Sequence, residues 1–291
     1  MAFQRFACYN HKRMKIAHLS DPHYSQISYS PELFKTKRWL GTLNLLLFRK
    51  NSYQTSHLED LPEFLNTLNP NYICITGDFS SLSLDAEFIA AREFTKKLQQ
   101  PFFHLPGNHD AYTKQSQEEQ TYYSYFLSSD LQRNRVEKRR LGEGWWWIGL
   151  DCARANSLLY SNGCFYPAME RALTQLLESI PYGDKVLIGN HFPLYPAGRP
   201  KHDLERGGEL LGLLQRFPQV KLYIHGHDHT PYIRKGRIPA INAGSCARKR
   251  GGSFYILDLH ESQCDLTRYA YTPKMKPFHW QIDLEQTIEL V

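Results

Sequence analysis

Five times along this 291-residue chain, a short apolar run closes on side chains that can hold a metal ion. The run at 15–20 leads into Asp21 and His23, and the run at 72–76 into Gly77 and Asp78. The run at 102–106 leads into Gly107, Asn108, His109 and Asp110. Further on, 185–189 leads into Asn190 and His191, and 221–225 into Gly226, His227, Asp228 and His229. Runs of this length, rich in Ile, Val, Phe and Tyr and closed by Gly or Asp, predict buried strands. Polar groups gathered at strand ends suit an open α/β sheet, in which ligands collect at the carboxyl ends of the strands.

Helical patterns fall between these runs. Residues 58–68 begin after Ser56 and stop before Asn69-Pro70, and 85–99 start near Ser83 and stop before Pro101. Residues 168–180 have Pro167 at the first helical position and Pro181 just beyond the end, a pattern that brackets a helix. Strands alternating with helices predict an α/β fold with largely parallel pairing. Further strands are expected at 145–151, 239–244, 253–259 and 264–271, and two packed sheets with helices outside would accommodate them. The length suits a single domain, residues 1–291, with 265–291 as a C-terminal extension.

Bulk properties exclude some classes. The chain is 42% hydrophobic and 22% charged, with a net charge of +6. That balance suits an anionic substrate without being a nucleic-acid signature. The basic runs at 133–140 and 247–250 read as solvated faces or loops. Six cysteines include no CxxC pair, which points to reduced thiols and a cytoplasmic protein. The opening MAFQRFACYNHKRM has no apolar core of a secretory signal, and the apolar run at 45–48 is too short to span a bilayer.

Phosphorus in a phosphoester is shielded by anionic oxygens. Attack therefore needs a deprotonated water and neutralisation of the developing charge, which two cations roughly 3.5–4 Å apart can provide. Such a site takes a bridging carboxylate with imidazoles and oxygen donors around it. Asp21-x-His23, Gly77-Asp78, Gly107-Asn108-His109-Asp110, His191 and Gly226-His227-x-His229 supply that set. Glycines at 77, 107 and 226 leave room where the backbone turns beside the metals. His18, His104 and His225 precede the motifs inside strands and read as core or supporting residues. The Trp145–Trp147 cluster reads as core packing. Arg154, past the strand end at Asp151, could reach a substrate phosphate or simply be solvated.

The series DxH, GD, GNHD, H and GHxH resembles the calcineurin-like metallophosphoesterase superfamily, over residues from about 15 to 259. The resemblance implies a four-layer α-β-β-α sandwich of two mixed sheets with a dinuclear site at the strand ends. Matching position to position, it implies Asp21, His23 and His229 on the first metal and Asn108, His191 and His227 on the second, with Asp78 bridging. His109 would be the general acid beside the leaving group, Asp110 would hold its ring, and the nucleophile would be a metal-bridging hydroxide. Manganese leads among the expected metals, with iron or zinc as alternatives.

GDFSS (Gly77 to Ser81) and GNHD depart from the GDxVDRG and GNHE of the protein Ser/Thr phosphatases. Ser81 replaces the metal-bound Tyr of purple acid phosphatases. The best likeness is to bacterial cyclic-nucleotide-phosphodiesterase-like (Icc-type) members. A small phosphodiester or pyrophosphate substrate is expected, and a nucleic-acid substrate is not. The insertion at 33–53, LFKTKRWLGTLNLLLFRKNSY, runs from Leu33 to Tyr53 and mixes basic residues with an apolar face. Such a segment can lie on an anionic membrane, line a lipid pocket, or pack on the sheet edge. The first two uses carry the alternative reading, a lipid-linked nucleotide pyrophosphatase of the UDP-diacylglucosamine type peripheral to the inner membrane face. A DNA nuclease is the remaining alternative.

Overall fold

The structure, a computed structural model, describes residues 13–25, 37–44, 58–273 and 278–290. Among them, twelve strands form two six-stranded sheets. The first sheet contains β1 (Met14–Leu19), β2 (Tyr72–Ile75), β3 (Phe102–His104), β10 (Ser253–Leu259), β11 (Gln263–Tyr271) and β12 (Trp280–Glu289). Its order is β12-β11-β10-β1-β2-β3. The second contains β4 (Val136–Gly142), β5 (Trp145–Leu150), β6 (Lys185–Gly189), β7 (Val220–His225), β8 (Tyr232–Arg234) and β9 (Ala240–Asn242), in the order β4-β5-β6-β7-β9-β8. Strands β1, β2 and β3 run parallel, as do β5, β6, β7 and β9. Antiparallel strands β10, β11 and β12 complete one side of the first sheet, and antiparallel β4 and β8 form both edges of the second, so both sheets are mixed.

Side-chain alternation decides which face each residue covers. Trp147, Leu187, Leu222, Ile224 and Ile241 point inward and join Ile16, Ile75 and Leu257 of the first sheet in one buried cluster. Trp147 stacks on Phe103 of β3 with ring centroids 5.5 Å apart, which ties the two sheets face to face. Ile148, Leu150, Val186, Ile188 and Tyr223 point the other way and pack with Met169, Leu173 and Leu210. The last three belong to helices α7 (Pro167–Glu178) and α8 (Gly207–Gln215). Helices α2 (Leu61–Leu68) and α3 (Asp85–Thr95) cover the first sheet through Leu61, Leu65, Phe88 and Ala91. The layers are therefore α-β-β-α, the expected sandwich. Strands covered on both faces read as near-continuous apolar runs, which is why they were legible.

Three short helices, α4 (Lys114–Glu118), α5 (Thr121–Tyr125) and α6 (Ser129–Asn134), lead into β4. The basic run at 133–140, read as a solvated face or loop, is mostly strand rather than loop, with Arg133, Arg139 and Arg140 exposed to solvent. The strand lies at a sheet edge, and charged residues are how natural sheets blunt such edges. Its Glu137 is buried and accepts from Trp147 Nε1 at 3.1 Å. Of the expected extension at 265–291, residues 265–271 continue the first sheet as the end of β11 and 280–289 as β12, and 274–277 and 291 lie outside the described residues. Of the 33–53 insertion, 33–36 and 45–53 lie outside the described residues; Lys37 precedes α1 (Arg38–Asn44). Among the described residues, no helix is long and apolar enough to cross a membrane.

Candidate metal centre

The strand ends meet at one edge of the sandwich because the chain turns sharply there. Asp21, His23, Asp78, His227 and His229 all have positive φ, between 44° and 75°, and Gly77 has φ 101°. Left-handed backbone costs an L-residue roughly 1–2 kcal/mol and persists only where surrounding contacts enforce it. Here the loops after β1 and β2 brace each other. Asp21 N donates to Gly77 O at 3.0 Å, His23 N to Asp78 O at 2.9 Å and Tyr24 N to Phe79 O at 2.9 Å. Gly107 and Gly226 serve close approach instead. A Cβ on Gly107 would overlap the Asp78 carboxylate, and one on Gly226 would overlap Asp21 and Ser20.

One atom each from Asp21, His23, Asp78 and His229 lies within 4.8 Å of the others, a group that could hold a metal ion. Asp21 Oδ1 is 3.0 Å from His229 Nε2 and 3.6 Å from His23 Nε2, and His23 Nε2 is 3.6 Å from Asp78 Oδ2. On its other side Asp78 Oδ2 lies 3.4 Å from His191 Nε2. The Asp78 carboxylate thus stands between two groups of imidazoles. His191 Nδ1 donates to the Thr76 carbonyl at 2.7 Å, and a carbonyl can only accept, so the proton is fixed on Nδ1 and Nε2 is turned to the site. Buried His191 Nε2 and Asn108 Oδ1 have no hydrogen-bond partner. Buried polar atoms are normally satisfied, and an unpartnered imidazole nitrogen 3.4 Å from a carboxylate is what a cation site leaves when its ligand atoms are counted without the ion.

His227 stacks edge-on to His191 with ring centroids 5.1 Å apart, and its Nε2 donates to the His202 carbonyl at 3.1 Å. That bond leaves Nδ1 as the ring's electron-pair donor. The backbone N–H groups of His109 and His227 donate to Asp78 Oδ1 (2.8 Å) and Asp21 Oδ2 (3.1 Å), orienting both carboxylates.

Electrostatics favour positive charge here. Burial opposes ionisation of both aspartates, yet His229 and His23 hold Asp21 well below the usual carboxylate range. His191 and His109 do the same for Asp78. Burial is the largest influence and lowers His191, but the charge and hydrogen bond of Asp78, the Asp21 charge and the Thr76 carbonyl together outweigh it and lift the imidazole to about 9. Two ionised carboxylates in a buried site call for cations, whether protons or metals.

Two expected roles change. Asp110 does not brace the His109 ring. Its carboxylate accepts from the backbone N–H groups of Phe79 (3.1 Å), Ser80 (2.8 Å) and Gly107 (2.9 Å) and from the Ser80 hydroxyl (3.0 Å). It fastens the loops after β2 and β3 together, and burial with the nearby Asp78 charge raises it to about 7. His109 Nδ1 donates instead to the Ser81 carbonyl at 2.6 Å, and its ring stacks on Tyr112. Arg154 is committed elsewhere. Its guanidinium pairs with Glu205 at 2.5 Å and donates to Asn156 at 3.3 Å.

The in-strand histidines are structural. His18 bonds Thr76 Oγ1 at 3.0 Å, His104 bonds the Tyr122 hydroxyl at 2.9 Å, and His225 bonds the Gly226 carbonyl at 3.0 Å. Trp145 and Trp147 are core residues. Cys74, Cys152, Cys164, Cys246 and Cys264 are buried free thiols, and Cys8 lies outside the described residues. The carbonyls of Thr76, Ser81 and His202 escaped sequence reading because a backbone acceptor leaves no residue-type signal.

Residues 14–231 match the family model described as "Calcineurin-like phosphoesterase". Among curated relatives, the 3′,5′-cyclic adenosine monophosphate phosphodiesterase CpdA of Haemophilus influenzae is 28% identical over 60% of this chain and 61% of its own length. The chain thus spans about three-fifths of that relative. The glycerophosphodiester phosphodiesterase GpdQ of Enterobacter lignolyticus is 26% identical over 74% of this chain and 71% of its own. Among solved structures, a dimetal phosphatase from Danio rerio superposes with a TM-score of 0.71 at 14% identity, covering 96% of this chain and 99% of that one. The lupin purple acid phosphatase PPD1 gives 0.58 at 12% identity, covering 96% and 54%. These structures share the fold. With the family model matched over residues 14–231, well over half of the sequence, this chain belongs to the calcineurin-like phosphoesterase family.

Proposed function

We propose that this chain is a dinuclear metallohydrolase of phosphodiester or pyrophosphate bonds. The observation that carries the reading is the Asp78 carboxylate, set 3.6 Å from His23 and 3.4 Å from His191. Asp21, His23 and His229 would hold one divalent cation, Asn108, His191 and His227 the other, with Asp78 shared. The mixed nitrogen and oxygen donors suit Mn²⁺ first, then iron or zinc. Such ions, when bound, supply Lewis acidity that lowers the pKa of water and neutralises phosphate charge.

The protein's part is orientation and proton transfer. Because Nδ1 of His109 is occupied by the Ser81 carbonyl, Nε2 is the atom that can protonate a departing oxygen. Stacking on Tyr112 keeps the ring plane fixed. Asp110 acts indirectly, by holding the 79–80 and 107 backbone. Support for a small phosphodiester or pyrophosphate substrate comes from the relatives named as phosphodiesterases. Mn²⁺ should stimulate hydrolysis of bis(p-nitrophenyl) phosphate, and Asp78→Ala should abolish it. Full activity in that variant would remove the site from the reaction.

A further inference from the structure

A cavity of about 310 Å³ opens beside the metal centre and shares Asn108 and His109 with it as a wall. Its other walls come from separate parts of the chain: Lys37 and Leu40, Tyr112, and the loop carrying Leu158, Leu159 and Tyr160. Leu158, Leu159 and Tyr160 are exposed large apolar side chains, at 54%, 68% and 46%. No Asp or Glu lines the cavity among the described residues.

Lys37 is the unusual member. Its Nζ donates to the Asn156 carbonyl at 2.6 Å and sits 4.2 Å over the centre of the Tyr112 ring. Tyr112 in turn stacks on His109, with ring centroids 5.7 Å apart. The ammonium is thus fixed two contacts from the proposed acid, with no carboxylate partner among the described residues. Burial alone lowers it, to about 8. A surface lysine swings in water, but this one is held over an aromatic face and pointed along a cavity wall. A partly desolvated cation resting on neutral groups, here a carbonyl and an aromatic face, binds an anion more strongly than a solvated one does.

We propose that Lys37 holds a second phosphoryl group of the substrate, so that the preferred substrate is an organic diphosphate rather than a monoanionic phosphodiester. The organic part of the departing phosphate rests on Leu40, Leu158, Leu159 and Tyr160. This rests on the metal-centre reading above and names the substrate class of that site. In the reaction, water supplies the oxygen that bonds to one phosphorus. The bridging P–O bond breaks with its electron pair on the second phosphate, and His109 meets that oxygen. Two phosphomonoesters result, with no change of oxidation state.

The test compares kcat/KM for UDP-glucose with that for thymidine 5′-phosphate p-nitrophenyl ester, in wild type and Lys37→Met with Mn²⁺. The diphosphate-to-diester ratio should fall at least tenfold in the variant and recover in part in Lys37→Arg. An unchanged ratio overturns the proposal, because a merely structural loss would lower both rates alike. A second measurement is independent of turnover. In EDTA, phenyl diphosphate binding by calorimetry should weaken at least fivefold in Lys37→Met, and equal binding overturns the assignment. If wild type hydrolyses neither substrate while this binding difference stands, the hydrolase reading fails and the anion site survives.

Discussion

Gly107→Ala isolates the contact on which the centre depends. The φ of Gly107 lies outside the left-handed region that marks Gly77, so alanine brings no backbone strain there. The added methyl would meet Asp78 N at 2.6 Å and Asp78 Cγ at 2.8 Å, where Cβ contacts below 3.0 Å essentially never occur. The two loops must part by about 0.4 Å or more, and overpacking of that kind costs about 1–3 kcal/mol. The displaced element is the Asp78 carboxylate, which also accepts from His109 N. Misplacing a catalytic constellation by as much as 1 Å costs about 10²-fold, so a loss of about 10- to 100-fold in Mn²⁺-dependent rate is expected, with weaker Mn²⁺ binding. Urea unfolding, metal titration and steady-state kinetics read the three effects separately. Gly212→Ala is the control: it lies in α8 with nothing within 4 Å of an added Cβ. Alanine there should stabilise the helix by up to about 1 kcal/mol without touching the rate. Unaltered metal affinity and rate in Gly107→Ala would refute the claim that Asp78 is seated by the glycine backbone.

Four further outcomes are expected. His109→Ala should lower kcat about 10²- to 10⁴-fold, more for leaving groups less acidic than p-nitrophenol; an equal loss across leaving groups would deny it the acid role. Asp110→Asn removes acceptor capacity from four donors and should destabilise by about 1–3 kcal/mol in urea, and full stability would mean that water replaces it. Arg154→Ala should leave kcat/KM within about threefold, since Glu205 already holds the guanidinium, and a large rise in KM would restore it to the substrate site. His18, neutral because burial and then His225 depress it to about 3, stabilises the fold fully above the unfolded value near 6.5. Its contribution declines as pH falls from there toward 3, because the unfolded chain takes up the proton first, by about 1.4 kcal/mol per unit. Between pH 6.5 and 4.5, wild type should therefore lose about 2 kcal/mol more than His18→Gln, and parallel losses would contradict a neutral His18.

The sequence alone determined where the strands lie and what stands at their ends. Burial on both faces forces long apolar runs, so β1, β2, β6, β7 and β10 are legible, and donors follow β1, β2, β6 and β7 directly in the chain. Edge strands obey no such constraint. Solvent admits charges in β4 and leaves β8 only three residues, whereas the edge strand β3 lies inside a legible apolar run and β12 carries a period-two pattern of Trp280, Ile282, Leu284 and Ile288. Tertiary structure decided everything that depends on aim. Left-handed φ at Asp21, His23, Asp78, His227 and His229 is enforced by neighbouring loops, because Asp and His tolerate that conformation better than most residues but still pay for it. Backbone carbonyls of Thr76, Ser81 and His202 choose which ring nitrogen faces the centre, and Asp110 is drawn to backbone N–H groups that only the fold brings near. The same convergence of segments 37–40, 108–112 and 156–160 places Lys37 beside His109, since a pocket wall is built from distances across space that sequence separation does not encode.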